Sequence, residues 1–313
     1  MQAVCVDHSA QGHLAIQSVP DPQPDAGEAI VRVRAVSLNR GELRRAEAGT
    51  AGMRIGWDLA GVVEQPARDG TGPAAGSRVV GFSRAMLGWA EHCAVPTHEL
   101  AVMPDAVSFE DAATLPVAGL TALYGLERGE RLLGSRVLVT GASGGTGLFA
   151  CTLARLMGAT VVAHVRRVEH EALVREAGAH EVVVHAEGAG VEERGPYRLI
   201  FDGVGGALLS RLMPLLEPAG RCVIYGVTAG AEATLPIHAL MGTGSGRVEG
   251  FHLYRESEHE HASRGLGRLL ALLADGRLRT HIAVREDWSA VGRTAVALIE
   301  RRYTGKAVLT LPG

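Results

Sequence analysis

The 313-residue chain predicts an α/β protein with a mainly β unit and a doubly wound parallel sheet. Three observations carry that prediction. Short alternating strands punctuated by glycine and proline fill the first third. Apolar strands then alternate with helical patterns. A glycine-rich loop, Thr140-Gly141-Ala142-Ser143-Gly144-Gly145-Thr146-Gly147, joins one such strand to one such helix.

In residues 1–116, "EAIVRVRAVSL" and "SRVVGF" read as strands of an antiparallel unit, and "DPQPDAGE" as a surface turn. In residues 117–250 the strands are "RVLVTG", "ATVVAHV", "EVVVH", "RLIFDGV" and "RCVIYG". Between them lie the helical patterns "TGLFACTLARLMG", "EHEALVREAG" and "GALLSRLMPLLEP". Strand–helix–strand units of this length imply a parallel sheet. Residues 251–313 hold "GLGRLLALLADG", "WSAVGRTAVALIERRYTG" and the strand "KAVLTLP". That tail has too little apolar material for its own core, so it is expected to return to the first unit.

Composition narrows the function. A net charge of −3 gives no reason to expect nucleic acid or an anionic membrane as partner. Cys5, Cys93, Cys151 and Cys222 are scattered without a C-x-x-C pair, as in a reduced, cytoplasmic protein. The opening "MQAVCVDHSAQGHL" lacks a basic segment followed by an apolar run, and no apolar run is long enough to span a bilayer.

The loop follows a strand and opens a helix, the context a dinucleotide site requires. Gly144 is where backbone would approach a pyrophosphate, Gly147 would let helix and sheet sit close, and the helix start offers free N–H groups. Ala142 replaces the usual first glycine. About twenty residues on, an NAD site would carry an acid for the ribose 2′-hydroxyl. The chain reads Val165-Arg166-Arg167 there, and two guanidiniums suit a 2′-phosphate, the alternative being a solvated basic turn. NADPH is the expected cofactor.

With these pieces in order, the chain resembles the medium-chain dehydrogenase/reductase superfamily, in its zinc-independent quinone oxidoreductase (zeta-crystallin-like) branch. The markers are "VRVRAVSLNRGELR", "GWDLAGVVE", "GSRVVGF", "GWAEHCAVP", "AATLPVAGLTALYGL", "GASGGTG" and "GKAVLTL". The resemblance implies a GroES-like catalytic domain over 1–116, a Rossmann NADP-binding domain over 117–250 and a return to the catalytic domain over 251–313. It also implies a homodimer formed through Rossmann edge strands, with "RVEGFHLY" the candidate edge.

Zinc-dependent relatives use a cysteine near Asn39 and a His-Glu pair where this chain has Trp57-Asp58. Neither Asn39 nor Trp57 supplies the sulfur or imidazole nitrogen that such a site needs. His92 and Cys93 are adjacent but lack spaced companions, so no metal is expected. Without a Lewis acid, hydride delivery to a quinone or an α,β-unsaturated carbonyl is the favoured reaction, because such acceptors place the added charge on their own oxygen.

By resemblance, Asn39 is the active-site residue near the nicotinamide, or else the residue of an Asx-type turn. Thr121 contacts the nicotinamide ribose, or is an ordinary first-turn residue. Val204, Gly205, Tyr225 and Gly226 lie at the carboxyl ends of strands, where such a sheet binds its ligand, or else serve sheet-to-loop geometry alone. Lys306 approaches the cofactor, or is a surface charge, and His170 and His185 fall where relatives contact a 2′-phosphate, or are solvated turn residues. Arg40 and Arg44 either hold an acidic substrate group or lie exposed on a helix turn, and Asp58 either tunes the pocket's charge or caps. No tyrosine follows Asn39 in "RGELRRAEAG", which argues against a phenolic proton donor. Two alternatives stay open: a trans-2-enoyl thioester reductase, and a catalytically weak NADPH-binding regulatory or structural protein.

Overall fold

A computed structural model describes residues 1–312. The chain divides into two compact units, Met1–Leu120 with the segment from Ser257 onward, and Thr121–Glu256. These borders lie a few residues later than the borders read from sequence at 116 and 250.

In the first unit, β1 (Gln2–Val6) and β2 (Leu14–Ser18) form an antiparallel hairpin. β3 (Glu28–Ser37) is the long central strand and is followed by α1 (Arg40–Ala48). Then come β4 (Asp58–Gln65), β5 (Arg78–Phe82), β6 (His92–Pro96), β7 (Leu100–Val102) and a short helix α2 (Phe109–Ala113). β3 pairs antiparallel with both β4 and β6, and its apolar residues Ala29, Val31, Val33, Ala35 and Val36 are all buried. Trp89, Phe82, Ile55 and Leu59 fill the core beside it.

The second unit opens with α3 (Leu120–Glu127), whose first residue belongs to the unit before it. It continues through β8 (Arg136–Thr140), α4 (Gly145–Leu156), β9 (Thr160–Val165), α5 (Glu171–Glu176) and β10 (Glu181–Val184). Next come β11 (Tyr197–Asp202), α6 (Gly206–Leu212), β12 (Leu216–Ile224), α7 (Ile237–Gly242) and β13 (Arg247–Gly250). The six strands run in the order β10-β9-β8-β11-β12-β13 and all pair parallel. Counted from β8, this is the doubly wound order 3-2-1-4-5-6, whose topological switch point lies between β8 and β11.

The chain crosses back within α8 (Leu253–His259) and ends in α9 (Ala262–Ala274), β14 (Ile282–Asp287), α10 (Val291–Ile299) and β15 (Lys306–Thr310). β15 pairs antiparallel with β3 and parallel with β14, so the tail completes the first unit's sheet. Two segments differ from the sequence reading. "GALLSRLMPLLEP" is not one helix: α6 stops at Leu212, a 3-10 turn carries Pro214, and β12 begins at Leu216. Proline lacks the N–H that another helical turn needs. Of "RVEGFHLY" only Arg247–Gly250 is strand, and α8 begins at Leu253.

Among the described residues no helix is long and apolar enough to cross a membrane, and the four cysteines are free and buried. One buried charge in the first unit has a measurable consequence. Glu99 is fully buried, with Arg84 at 3.8 Å and His98 at 3.7 Å from its Oε1. Burial pushes its carboxyl up to about 7, while Arg84 and the Ala262 backbone N–H at the start of α9 pull it back. A raised carboxyl stabilises the fold fully below the unfolded value near 4.5, and that stability is lost as the pH climbs to about 7. Glu99→Gln should therefore raise the stability at pH 8 by about 2 kcal/mol and leave it little changed at pH 4. Thermal melts at the two pH values check this, and equal shifts at both would refute it.

Candidate functional site

In the second unit, β8 ends at Thr140 and α4 begins at Gly145, with Gly144 as its N-cap. No side chain caps that helix, so its first-turn N–H groups face outward as an anion cradle. Gly141 holds φ +61°, a turn conformation that favours glycine. Gly147 is required by packing, because a Cβ there would lie 2.5 Å from the Gly141 carbonyl oxygen and 2.7 Å from Ala142.

Gly144 is different. Its φ is −76°, it is exposed, and a Cβ there would meet only the Gly141 oxygen at 3.4 Å. Nothing in the fold demands glycine at Gly144, whereas a pyrophosphate lying against that backbone would. This open, side-chain-free position at a helix N-terminus is the observation by which the residues present fit a dinucleotide. Ser143, Gly145 and Thr146 flank it, and buried Ala142 ties the loop down by donating its N–H to the His164 carbonyl at 3.2 Å.

At the switch point the structure adds a residue that sequence reasoning missed. Asp202, at the end of β11, is fully buried and holds the turn that follows. Its Oδ1 accepts from the Thr140 hydroxyl and from the Val204 N–H at 3.3 Å, and its Oδ2 from the Gly205 N–H at 2.9 Å. Burial raises its carboxyl, against these hydrogen bonds. Tyr225 stacks on Phe201 with ring centroids 4.1 Å apart and donates its hydroxyl to the Thr140 carbonyl at 3.3 Å. Gly226 follows it, and a Cβ there would lie 2.9 Å from the Gly203 oxygen. Asp202 and Tyr225 thus brace Val204, Gly205 and Gly226 at the carboxyl edge of the sheet. Thr121, only 8% exposed, sits in the first turn of α3.

Arg166 and Arg167 follow β9 directly and are exposed. Arg167 donates from Nη2 to His170 Nε2 at 3.0 Å, which requires a neutral imidazole there. Burial lowers the His170 imidazole, and the charge of Arg167 adds to this. His185 is otherwise engaged: its Nδ1 accepts the N–H groups of Glu187 and Ala189, both at 3.1 Å, and its carbonyl accepts from His164 at 2.8 Å. Its ring Nδ1 is thus part of the turn, the second of the two readings open for it.

In the first unit, Asn39 caps α1 and Glu42 closes a reciprocal capping box with it. Lys306, at the start of β15, is 3% exposed. Its ammonium donates to the Leu38 carbonyl at 3.0 Å, to Asn39 Oδ1 at 2.7 Å and to Asp58 Oδ2 at 3.3 Å. An ammonium has three donors, and as placed all three are engaged within the first unit. Lys306 also fixes the Asn39 amide, since only the oxygen can face an ammonium. Asn39 Nδ2 then donates to Asp58 Oδ2 at 2.7 Å. Asp58, fully buried, also accepts from the Ser37 hydroxyl at 2.6 Å and from the Val117 N–H at 2.9 Å. It is an ion-pair partner, and Asn39 is both a cap and part of a charged cluster. Arg44 is exposed and Arg40 half-buried.

Among the described residues no group of three or more His, Cys, Asp or Glu side chains is arranged to hold a metal ion.

Comparison with known proteins agrees with this architecture. The alcohol dehydrogenase GroES-like domain model matches residues 25–116, and the zinc-binding dehydrogenase model matches residues 145–267. The spectinabilin polyketide synthase system protein NorB of Streptomyces orinoci is 34% identical over 306 residues, 91% of this chain but only 13% of that protein. The quinone oxidoreductase-like protein 2 of Bos taurus is 30% identical, covering 82% of this chain and 76% of its own length. Among solved structures, mycobacterial Rv1454c complexed with NADPH superposes with a TM-score of 0.87 at 25% identity, covering 99% of this chain and 100% of that one. The fold and the site define an oxidoreductase built on a nucleotide-binding sheet. The chain belongs to the medium-chain dehydrogenase/reductase family, in its quinone oxidoreductase-like branch.

Proposed function

We propose that the chain is an NADPH-dependent reductase that delivers hydride to a quinone or another α,β-unsaturated carbonyl acceptor and works without zinc. The observation that carries the zinc-free reading is the Lys306 ammonium. It lies 3.3 Å from Asp58 and 2.7 Å from Asn39, so the one carboxylate among the positions where relatives bind zinc already has a cation. Asn39 and Trp57 offer no metal donor of the required kind. The NADPH complex of Rv1454c and the quinone oxidoreductase-like relative support the cofactor and the acceptor class.

Bound NADPH would supply a hydride. The chain's own residues account for the rest. The N–H groups at Gly145, Thr146 and Gly147 hold the pyrophosphate, with Gly144 and Ser143 leaving room for it. Arg166 and Arg167 hold the 2′-phosphate through charge-assisted hydrogen bonds. Val204, Gly205, Tyr225 and Gly226, braced by Asp202, line the switch-point edge, and Thr121 adds a hydroxyl. In the first unit, Asn39 is held in one orientation by Lys306 and Asp58. A quinone or enone places the added negative charge on its own oxygen and takes its proton from solvent, so no protein acid is required.

The experiment is a screen of NADPH and NADH oxidation against quinones, enones and a crotonyl thioester. Quinone or enone turnover with NADPH is the expected result, and turnover of the thioester alone would replace it with the enoyl reductase reading. The likeness to a stretch of a polyketide synthase system protein is what favours that second reading. Alanine at both Arg166 and Arg167 should weaken NADPH binding by about thirty-fold, roughly 2 kcal/mol, and leave NADH unchanged. Equal losses for both nucleotides would sink the role of the arginine pair. We further place the chain in the cytoplasm and pair two copies through the free edge of β13, which bonds only β12 within the sheet. Light scattering should give the mass of two chains, and a monomer's mass would dispose of the pairing.

A further inference from the structure

Glu42 has no part in the hydride chemistry above, yet it is fully buried at the third position of α1. Both its oxygens accept backbone hydrogen bonds, Oε2 from Asn39 and Oε1 from Trp57, each at 2.7 Å. The charged groups facing it are Asp58 from β4 and Lys306 from β15. Asn39 and Trp57 are neutral, Arg44 and Arg45 of its own helix are exposed, and half-buried Arg40 at the helix start is not among the main charges acting on Glu42. The three ammonium hydrogens of Lys306 go to Leu38, Asn39 and Asp58, so Glu42 has no cation in hydrogen-bond contact.

The charge count is the argument. Two buried carboxyls share one ammonium, and full ionisation would leave a net negative charge out of water. Asp58 has the ion pair together with hydrogen bonds from Ser37, Asn39 and Val117. Glu42 is the carboxyl left over.

We propose that Glu42 holds a proton at neutral pH and is a positioning residue whose neutrality keeps Asn39 aligned between Lys306 and Asp58. Asn39 Nδ2 lies 2.7 Å from Asp58 Oδ2 but also 3.4 Å from Glu42 Oε2. An ionised Glu42 would compete with Asp58 for that amide and for the Lys306 ammonium, pulling both from their places. Burial, and then the charge of Asp58, push the Glu42 carboxyl well above the usual carboxylate range, in the direction the count requires. Solvent supplies the proton and takes it back as the pH rises.

The kinetic arm of the test rests on the reductase reading; the spectroscopic arm does not. With NADPH and a quinone, wild-type kcat should fall at least ten-fold between pH 7 and an alkaline limit near pH 10 while the KM for NADPH holds. Glu42→Gln, a permanently neutral isostere, should flatten that fall to under about three-fold, and Glu42→Ala should lose activity at all pH values. Parallel profiles for wild type and Glu42→Gln would overturn the proposal. Infrared difference spectra between neutral and alkaline pH should show a protonated-carboxyl band in wild type that is absent in Glu42→Gln. In Asp58→Asn, where the repelling anion is gone, the band should vanish at lower pH. No such band in the wild type would overturn the proposal whatever the kinetics. A wild type that shows the band yet oxidises NADPH with none of the quinones, enones or thioesters tested would refute the reductase reading and leave the Glu42 proton standing.

Discussion

Leucine at Gly144 should weaken NADPH binding by at least about a hundred-fold, roughly 2.7 kcal/mol, in a protein that folds nearly as before. The two halves of this expectation have separate physical sources. The backbone at Gly144 has φ −76° and meets only one atom, at 3.4 Å, so the fold accepts a side chain there. Exchanging a glycine N-cap for an apolar residue costs no more than about 1 kcal/mol. The side chain would, however, fill the space over the α4 N-terminus where the anion must lie.

Gly147→Ala supplies the contrast. Its Cβ would lie 2.5 Å from the Gly141 oxygen and 2.7 Å from Ala142, both backbone, so the helix must move away from the strand. A loss of about 2–3 kcal/mol in stability should accompany any loss of binding. Titration calorimetry and thermal melts on the two variants separate a ligand-made glycine from a packing-made one. If Gly144→Leu binds NADPH as the wild type does, the cradle is misplaced.

Lys306→Met should cost about 3–5 kcal/mol of first-unit stability at pH 7, the penalty for stranding a buried charge. Asp58 would keep its bonds from Ser37, Asn39 and Val117 but lose its counterion, and the Asn39 amide would lose the donor that orients it. Adding Asp58→Asn to Lys306→Met should restore much of the loss, because the stranded charge is then gone. Urea unfolding of the single and double variants checks this. A harmless Lys306→Met would refute the stabilising role given to the Lys306–Asp58 ion pair.

The second unit was the more legible part of the sequence. Its central strands β8, β9 and β11 are buried on both faces and read as short apolar runs, and the glycine loop stands at an uncapped helix start directly after the first of them. Hence the parallel sheet and the loop's place followed from local pattern, while the order of the strands did not. The errors fell where a local signal gave out: Pro214 ended α6 early, and β13 stopped at Gly250 inside a stretch read as one edge.

The first unit's site was read by kind of residue and not by partner. Asn39, Asp58 and Lys306 were each singled out, yet their meeting depends on β15 pairing with β3, a contact between distant parts of the chain that no local periodicity encodes. Glu42 was overlooked although its signal was present. It stands three residues after Asn39, the spacing of a capping box, which should have flagged it as the partner of the asparagine's backbone. Asp202 was passed over because an acid inside "FDGVGG" looks like an ordinary turn residue until its three donors are seen.

The route of the chain gives Lys306 a second meaning, one of timing. Residues 121–256 form one uninterrupted unit and can close as soon as they leave the ribosome. Asn39 and Asp58 emerge long before, but their cation arrives only with residue 306, after that whole unit has been made. Until then the earlier half-sheet has β3 without its β15 neighbour and an acid awaiting burial without its counterion. The intervening unit is therefore complete in the chain before the enclosing one, whose sheet and buried ion pair both need the last strand.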